Sequence, residues 1–201
     1  MNIARILYPV EVLGPGKRLA IWTAGCPHHC RGCSNPELWS GSQKYEISIE
    51  QLERAIREIV LTSRNPVDGI TVTGGDPFYQ AEELPELLTM LRKISDDILV
   101  YTGYRYEELK QQNNPGTEKS LSLIDVLIDG PYIESLNDGS PMRGSGNQKI
   151  IFLNPDAENR YCDYLKQSNR IQNFVAADGI ISVGIHDRDF ADKMAELEKH
   201  R

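Results

Sequence analysis

The sequence has no long apolar run and no cluster of basic residues. None of its stretches approaches the roughly 18 apolar residues that a membrane-spanning helix needs. Residues 1–9 also lack the basic segment followed by an apolar one that marks a signal peptide. The formal net charge is -7, and the lysines and arginines are scattered along the chain. This composition argues against nucleic acid or a membrane surface as a partner, and we expect a cytoplasmic protein.

Cysteine is scarce, with four residues in the chain, yet three lie close together at Cys26, Cys30 and Cys33. In a chain without a secretion signal, reduced metal ligands explain such thiols better than disulfides. Iron-sulfur cubanes are normally held by four thiolates, so a loop with three leaves one iron open. Open metal sites are typical of chemistry rather than of structure. A zinc site that adds His28 or His29 is the alternative, although zinc ribbons usually carry two short cysteine pairs.

Apolar periodicity predicts strands that alternate with helices. Strands are predicted at residues 19–24, 69–73, 98–102, 126–129 and 149–153, and helices at residues 82–94 and after Ser48, where Gln51 completes a capping box. Strands separated by helical crossovers imply an α/β fold with a parallel sheet. Ligands collect at the carboxyl ends of such strands. The cysteine loop follows the first of these strands, and a Gly-Gly-Asp-Pro turn follows the second.

Residues 154–201 are predicted to be a folded extension that packs on the same domain as residues 1–153. A helix is expected at residues 156–166, which makes Cys162 an ordinary thiol. A β-hairpin is expected from residues 171–176 and 180–185 around Asp178-Gly179, and a last helix places Phe190, Met194 and Leu197 on one face. The hairpin is expected to extend the sheet, cover its edge or dock a partner. At His186-Asp187, a satisfied histidine beside a helix cap is favoured over a catalytic pair.

The C-x3-C-x2-C spacing of Cys26, Cys30 and Cys33 resembles that of the radical S-adenosylmethionine superfamily. Further matching segments lie at residues 14–18, 22–26, 74–77, 101–104, 128–130 and 143–148. Residues 101–104 and 143–148 narrow the resemblance to the small activases of glycyl radical enzymes, and among them the chain is most similar to the activases of anaerobic ribonucleotide reductases. This resemblance implies an incomplete TIM-like βα barrel with flanking helices.

The resemblance also implies the cofactors and the site. The three cysteines would hold a 4Fe-4S cluster, and S-adenosylmethionine would chelate its open iron. The turn of Gly74, Gly75, Asp76 and Pro77 matches the one that contacts the methionyl amino group in the family. Further candidate cofactor contacts at strand ends are Thr102, Tyr104 and Asp129. No catalytic side chain is expected, because the cofactor carries the chemistry and the fold orients it.

The activity implied is generation of a glycyl radical on a large partner enzyme, with a flavodoxin or ferredoxin as electron donor. Two alternatives stay open: a radical enzyme that modifies a peptide or a small molecule directly, and a non-enzymatic zinc or redox module.

The sequence leaves the role of two residues and one loop open. Gly32 stands where many family members carry an aromatic residue against adenine, so the adenine contact is unidentified. Arg18 is expected to pair with a carboxylate, either of the protein or of a ligand. The loop at residues 143–148, with Arg143 and Gln148, either closes over the site or is a solvated surface loop.

Overall fold

A six-stranded sheet forms the centre of the computed structural model, which describes residues 1–63, 65–176 and 179–199. Its strands, in both spatial and chain order, are β1 (Ile3–Val10), β2 (Arg18–Thr23), β3 (Gly69–Gly74), β4 (Ile98–Tyr101), β5 (Val126–Asp129) and β6 (Lys149–Phe152). Strands β2 to β5 run parallel, and this confirms the predicted α/β class with a mainly parallel sheet. None of the described helices is long and apolar enough to cross a membrane.

The two outer strands differ from the prediction. Strand β1 was not predicted, because apolar and polar residues do not alternate along its sequence. In the structure most of its positions are half-buried. Strand β6 was predicted at the right place, but it runs antiparallel to β5. A parallel neighbour needs a long crossover, usually a helix, whereas the chain between β5 and β6 contains only the 3₁₀ turn Glu134–Leu136 among its regular elements. The chain therefore turns back at the carboxyl end of β5.

Four helices cover one face of the sheet: α1 (Ile49–Ser63), α2 (Leu84–Leu91), α3 (Tyr106–Gln111) and α4 (Pro115–Leu121). Leu19 and Ile21 of β2 pack there against Leu52 and Ile56 of α1 in the largest apolar cluster. The predicted capping box at the start of α1 is confirmed. The Gln51 amide donates to Ser48 Oγ at 3.2 Å, and the Ser48 amide donates to Gln51 Oε1 at 3.0 Å.

The C-terminal extension covers the opposite face of the sheet. It consists of α5 (Ala157–Leu165), the antiparallel pair β7 (Ile171–Ala176) and β8 (Gly179–Gly184), and α6 (Phe190–Lys199). Side chains alternate along a strand, so Ala20 and Trp22 of β2 point to this face and pack with Val183 of β8. The hairpin is a separate two-stranded sheet and does not extend the central one. Asp178 and the side chain of Leu197, both named in the predictions, lie outside the described residues.

A buried ion pair at the amino ends of β2 and β4 joins α5 to the sheet. The Arg18 guanidinium donates to Asp97 Oδ2 at 2.7 Å, and the two side chains are 0% and 1% exposed. Arg18 Nε also donates to Thr71 Oγ1 at 2.7 Å, and the Tyr161 hydroxyl of α5 donates to Asp97 Oδ1 at 2.8 Å. The carboxylate that pairs with Arg18 therefore belongs to the protein.

Candidate cluster and cofactor site

The cysteine loop leaves the carboxyl end of β2 and is held by backbone hydrogen bonds. The Gly25 amide donates to the Leu38 carbonyl at 2.8 Å, and the Cys26 amide donates to the Trp39 carbonyl at 2.9 Å. Within the loop, the Cys33 amide donates to the Cys30 carbonyl at 3.2 Å. These backbone hydrogen bonds define the path of the loop.

Three thiols line one cavity at this end of the sheet. Cys26, Cys30 and Cys33 share its lining with Gly74 and Gly75, at the carboxyl end of β3, and with residues of the C-terminal extension. Burial raises the pKa of the Cys26 thiol to about 11, and it also raises the pKa of Cys30. Burial therefore favours the neutral thiols, and bound iron would supply the positive charge that stabilises thiolates.

The donor set at the cavity is three thiols of one loop, each of which could bind a different iron of a cubane. A zinc site needs its ligands about 2.0–2.3 Å from one centre, whereas in a cubane each thiolate binds a different iron. Trp39 also lines the cavity, and its buried indole N–H has no hydrogen-bond partner in the described part of the chain. Such a donor suits a cluster or thiolate sulfur as acceptor.

Gly74, the last residue of β3, and Gly75, the residue after it, allow close approach of the backbone to the end of β2 and to the cysteine loop. Gly74 has a φ of 109°, and a Cβ there would lie 2.5 Å from the backbone of Thr23. A Cβ on Gly75 would lie 2.4 Å from the Gly25 carbonyl oxygen. A side chain at either position would push the two loops apart, and the backbone that lines the cavity would move with them.

Asp76 lies behind the cavity lining and joins three loops. Its carboxylate is 0% exposed and accepts hydrogen bonds from the Phe78 amide at 2.9 Å, the Gly103 amide at 2.8 Å and Thr102 Oγ1 at 2.9 Å. His28 Nε2 of the cysteine loop lies 2.9 Å from its second oxygen. Pro77 begins the 3₁₀ turn Pro77–Gln80, which Asp76 caps. The geometry makes Asp76 a residue that positions these loops.

The other predicted contacts divide between the cavity and its support. Thr102 lines the cavity and donates to Asp76, whereas Tyr104 packs edge-on against His28 with ring centroids 4.6 Å apart. The Asp129 carboxylate, 4% exposed, accepts from the Tyr106 amide at 2.8 Å and the Lys149 amide at 3.0 Å. Cofactor contact by these side chains stays a prediction.

The loop at residues 143–148 packs against the site. Gln148 Nε2 donates to the Gly130 carbonyl at 2.8 Å, and Gln148 Oε1 accepts from the Gly144 amide at 2.8 Å. Ser145 is 0% exposed, and its hydroxyl accepts from the Ile133 amide at 3.1 Å. Gly144 and Gln148 line the cavity. The loop was predicted either to close over the site or to be a solvated surface loop. The second alternative is wrong for Gly144, Ser145 and Gln148.

Two features of the loop were not predictable from the resemblance. Gly32 has a φ of 72°, which L side chains rarely adopt, and a Cβ there would lie 2.6 Å from the Glu134 carboxylate, which would have to move. His28 was considered only as a zinc ligand, yet it contacts Asp76 and Tyr104. The sequence signal for such a contact was the position of His28 inside the cysteine loop, two residues after Cys26.

The sequence profile of the family described as "4Fe-4S single cluster domain" matches residues 12–151 of this chain. The anaerobic ribonucleoside-triphosphate reductase-activating protein of Salmonella typhi is 34% identical over 153 residues, which cover 73% of this chain and 96% of the relative. The chain belongs to this family of activating proteins. The family member from Enterobacteria phage T4 is 34% identical over 155 residues (75% and 93%), and that from Haemophilus influenzae is 37% identical over 149 residues (71% and 93%).

Membership of the activating-protein family accounts for the cysteine loop and leaves the extension unexplained. A 4Fe-4S cluster is the metal group that the family and the three cysteines support, rather than the alternative zinc site. The match to the family profile ends at residue 151, before α5, the hairpin and α6.

Proposed function

We propose that this protein is a radical S-adenosylmethionine activase that generates a glycyl radical on an anaerobic, class III ribonucleotide reductase. The observation that carries this proposal is the placement of three cysteines of one loop beside the Gly-Gly-Asp-Pro turn, in a member of the activating-protein family. The fold we propose for residues 1–153 is the partial βα barrel, with residues 154–201 as an extension of the same domain. The cytoplasmic location stays a prediction.

The 4Fe-4S cluster and S-adenosylmethionine, when bound and reduced by a flavodoxin or ferredoxin, would supply the radical that removes hydrogen from a glycine of the partner. Cys26, Cys30 and Cys33 would hold three irons and leave the fourth open. The backbone of Gly74 and Gly75 would contact the methionyl amino group. Asp76 would position this backbone through its hydrogen bonds with Phe78 and Gly103.

The remaining predicted contacts take lesser parts in this proposal. Thr102, at the cavity, would contact the methionyl carboxylate or the ribose. Pro77, Tyr104 and Asp129 would support the site from behind, because their side chains pack or bond within the protein.

The test begins with anaerobic reconstitution with iron and sulfide. Electron paramagnetic resonance of the dithionite-reduced protein, with and without S-adenosylmethionine, is combined with an assay for 5'-deoxyadenosine. We expect a 4Fe-4S signal that shifts with the cofactor, cofactor cleavage, and a glycyl radical signal when a purified anaerobic ribonucleotide reductase is added. Stoichiometric zinc without a cluster would refute the proposal.

A second candidate, a radical enzyme acting directly on a peptide or small molecule, is favoured by one observation. Residues 182–187, 189 and 190 of the extension line the cavity. Cofactor cleavage without a glycyl radical on the reductase would favour this candidate.

A further inference from the structure

The part of the extension that reaches the cavity is residues 182–190, which run from the end of β8 into α6. They lie beyond residue 151, where the family match ends. Ser182, His186 and Phe190 nevertheless line the cavity that contains the three cysteines. A segment outside the shared domain of the family therefore forms one wall of the site.

His186 fixes this wall on the cysteine loop. The residue is 8% exposed, its Nε2 lies 3.0 Å from Ser182 Oγ, and its Nδ1 lies 3.3 Å from Ser34 Oγ, directly after Cys33. The Asn137 side chain donates to the His186 carbonyl at 2.9 Å. The wall is thus anchored to two loops that border the cavity.

Phe190 offers an aromatic surface in this wall. One face of its ring stacks on His186, with centroids 3.7 Å apart, and the residue is half-buried at the cavity. Trp22 of the lining packs in the core and Trp39 stacks on His29, whereas Tyr101 and Tyr132 form hydrogen bonds through their hydroxyls, with the Met142 carbonyl and Asn137. Among the described residues, His186 is the one ring that stacks on Phe190, so the other face of Phe190 is suited to a flat ligand.

Two acidic residues, Asp187 and Asp189, are exposed and line the same cavity as Phe190. Asp187 Oδ1 accepts from Asn169 at 2.9 Å. Carboxylates accept hydrogen bonds from ribose hydroxyls, and aromatic rings stack on bases. The wall therefore combines groups that recognise the two parts of a nucleoside.

We infer that residues 182–190 form the nucleoside subsite for S-adenosylmethionine, with Phe190 against the adenine and the carboxylates of Asp187 and Asp189 at the ribose. This inference rests on the proposed function. It assigns to the extension the adenine contact that Gly32 does not provide.

The test measures ligand affinity of the reconstituted full chain by anaerobic calorimetry. Phe190→Leu is expected to weaken binding of S-adenosylhomocysteine about fivefold, because an aromatic stack contributes beyond buried area. Phe190→Tyr should keep the affinity within about twofold. Asp189→Asn removes the charge and keeps a residue that tolerates the φ of 67° at this position, and it should also weaken binding. Met194→Ala, one turn along α6 and 42% exposed, is the matched control.

Two further measurements separate the possible causes. L-Methionine, which lacks the nucleoside, should bind all variants as it binds the wild type. Hydrogen exchange of residues 182–190 should slow when S-adenosylhomocysteine is added to the wild-type protein. Unchanged affinity in Phe190→Leu, unchanged exchange, or an equal loss of methionine binding would each overturn the nucleoside assignment. A wild-type protein that binds no S-adenosylmethionine would refute the proposed function itself, and the inference with it.

Discussion

The His28 imidazole lies 2.9 Å from the Asp76 carboxylate and joins the cysteine loop to the turn after β3. Asp76 also accepts from Thr102 and the Gly103 amide, so the same carboxylate connects the end of β4. A Cβ on Gly103 would lie 2.3 Å from the His28 ring, which shows how closely these segments approach. This contact adds a side-chain link between the cysteine loop and the glycine turn, which the Asp76 amide also joins by donating to the Gly25 carbonyl at 2.8 Å.

Removal of the His28 side chain is expected to impair use of the cofactor more than cluster assembly. A hydrogen bond to a charged group contributes about 1.5–3 kcal/mol, so His28→Ala should raise the KM for S-adenosylmethionine about tenfold or more. Iron content should stay near that of the wild type. His28→Gln keeps a donor and should recover part of the loss. A KM in His28→Ala equal to the wild-type value would show that the contact positions nothing.

Gly75→Ala is expected to destabilise the site because the added Cβ would lie 2.4 Å from the Gly25 carbonyl oxygen. Overpacking of this kind costs about 1–3 kcal/mol. Urea denaturation of the metal-free protein measures the loss. Gly41→Ala is the matched control, since a Cβ there has no heavy atom within 4 Å. Equal stability of the two variants would contradict the close approach.

Asp97→Ala is expected to lower the free energy of unfolding by about 3–5 kcal/mol, because it leaves the Arg18 charge buried and unpaired. Tyr161→Phe removes one hydrogen bond to Asp97 and should cost about 1.5–3 kcal/mol. Asp96→Ala, at a side chain 93% exposed, should have little effect in the same urea titrations. A small effect of Tyr161→Phe would show that α5 is held by apolar packing alone.

Cys30→Ala is expected to prevent normal cluster assembly, because it removes one of the three thiols at the cavity. Cys162→Ala should leave iron content near that of the wild type, since Cys162 is exposed on α5. Iron and sulfide analysis after reconstitution measures both variants. Loss of the cluster in Cys162→Ala would overturn the choice of ligands.

Trp39→Phe is expected to lower the reduction potential of the cluster. The indole N–H is a buried donor without a partner in the described residues, and it borders the cavity. A hydrogen bond to sulfur stabilises the reduced, more negative cluster and so raises the potential. A redox titration followed by electron paramagnetic resonance checks this, and an unchanged midpoint would mean that the N–H does not reach sulfur.

Local patterns in the sequence determined several parts of this protein. The spacing of Cys26, Cys30 and Cys33 sets the cluster loop, Ser48 and Gln51 set the start of α1, and the order of strands and helices sets the α/β class. These features depend on residues that are close in the chain, and so a pattern of a few residues is enough to predict them.

Tertiary structure decided the antiparallel direction of β6, the partner of Arg18, the role of Asp76 and the position of the extension. Arg18 and Asp97 are 79 residues apart, and Ser34 and His186 are 152 apart. A charged or polar side chain needs a hydrogen-bond or ionic partner when it is buried. The residues that neighbour it in the chain do not identify that partner. That choice is made by packing, which brings distant segments onto the two faces and the one open end of the sheet.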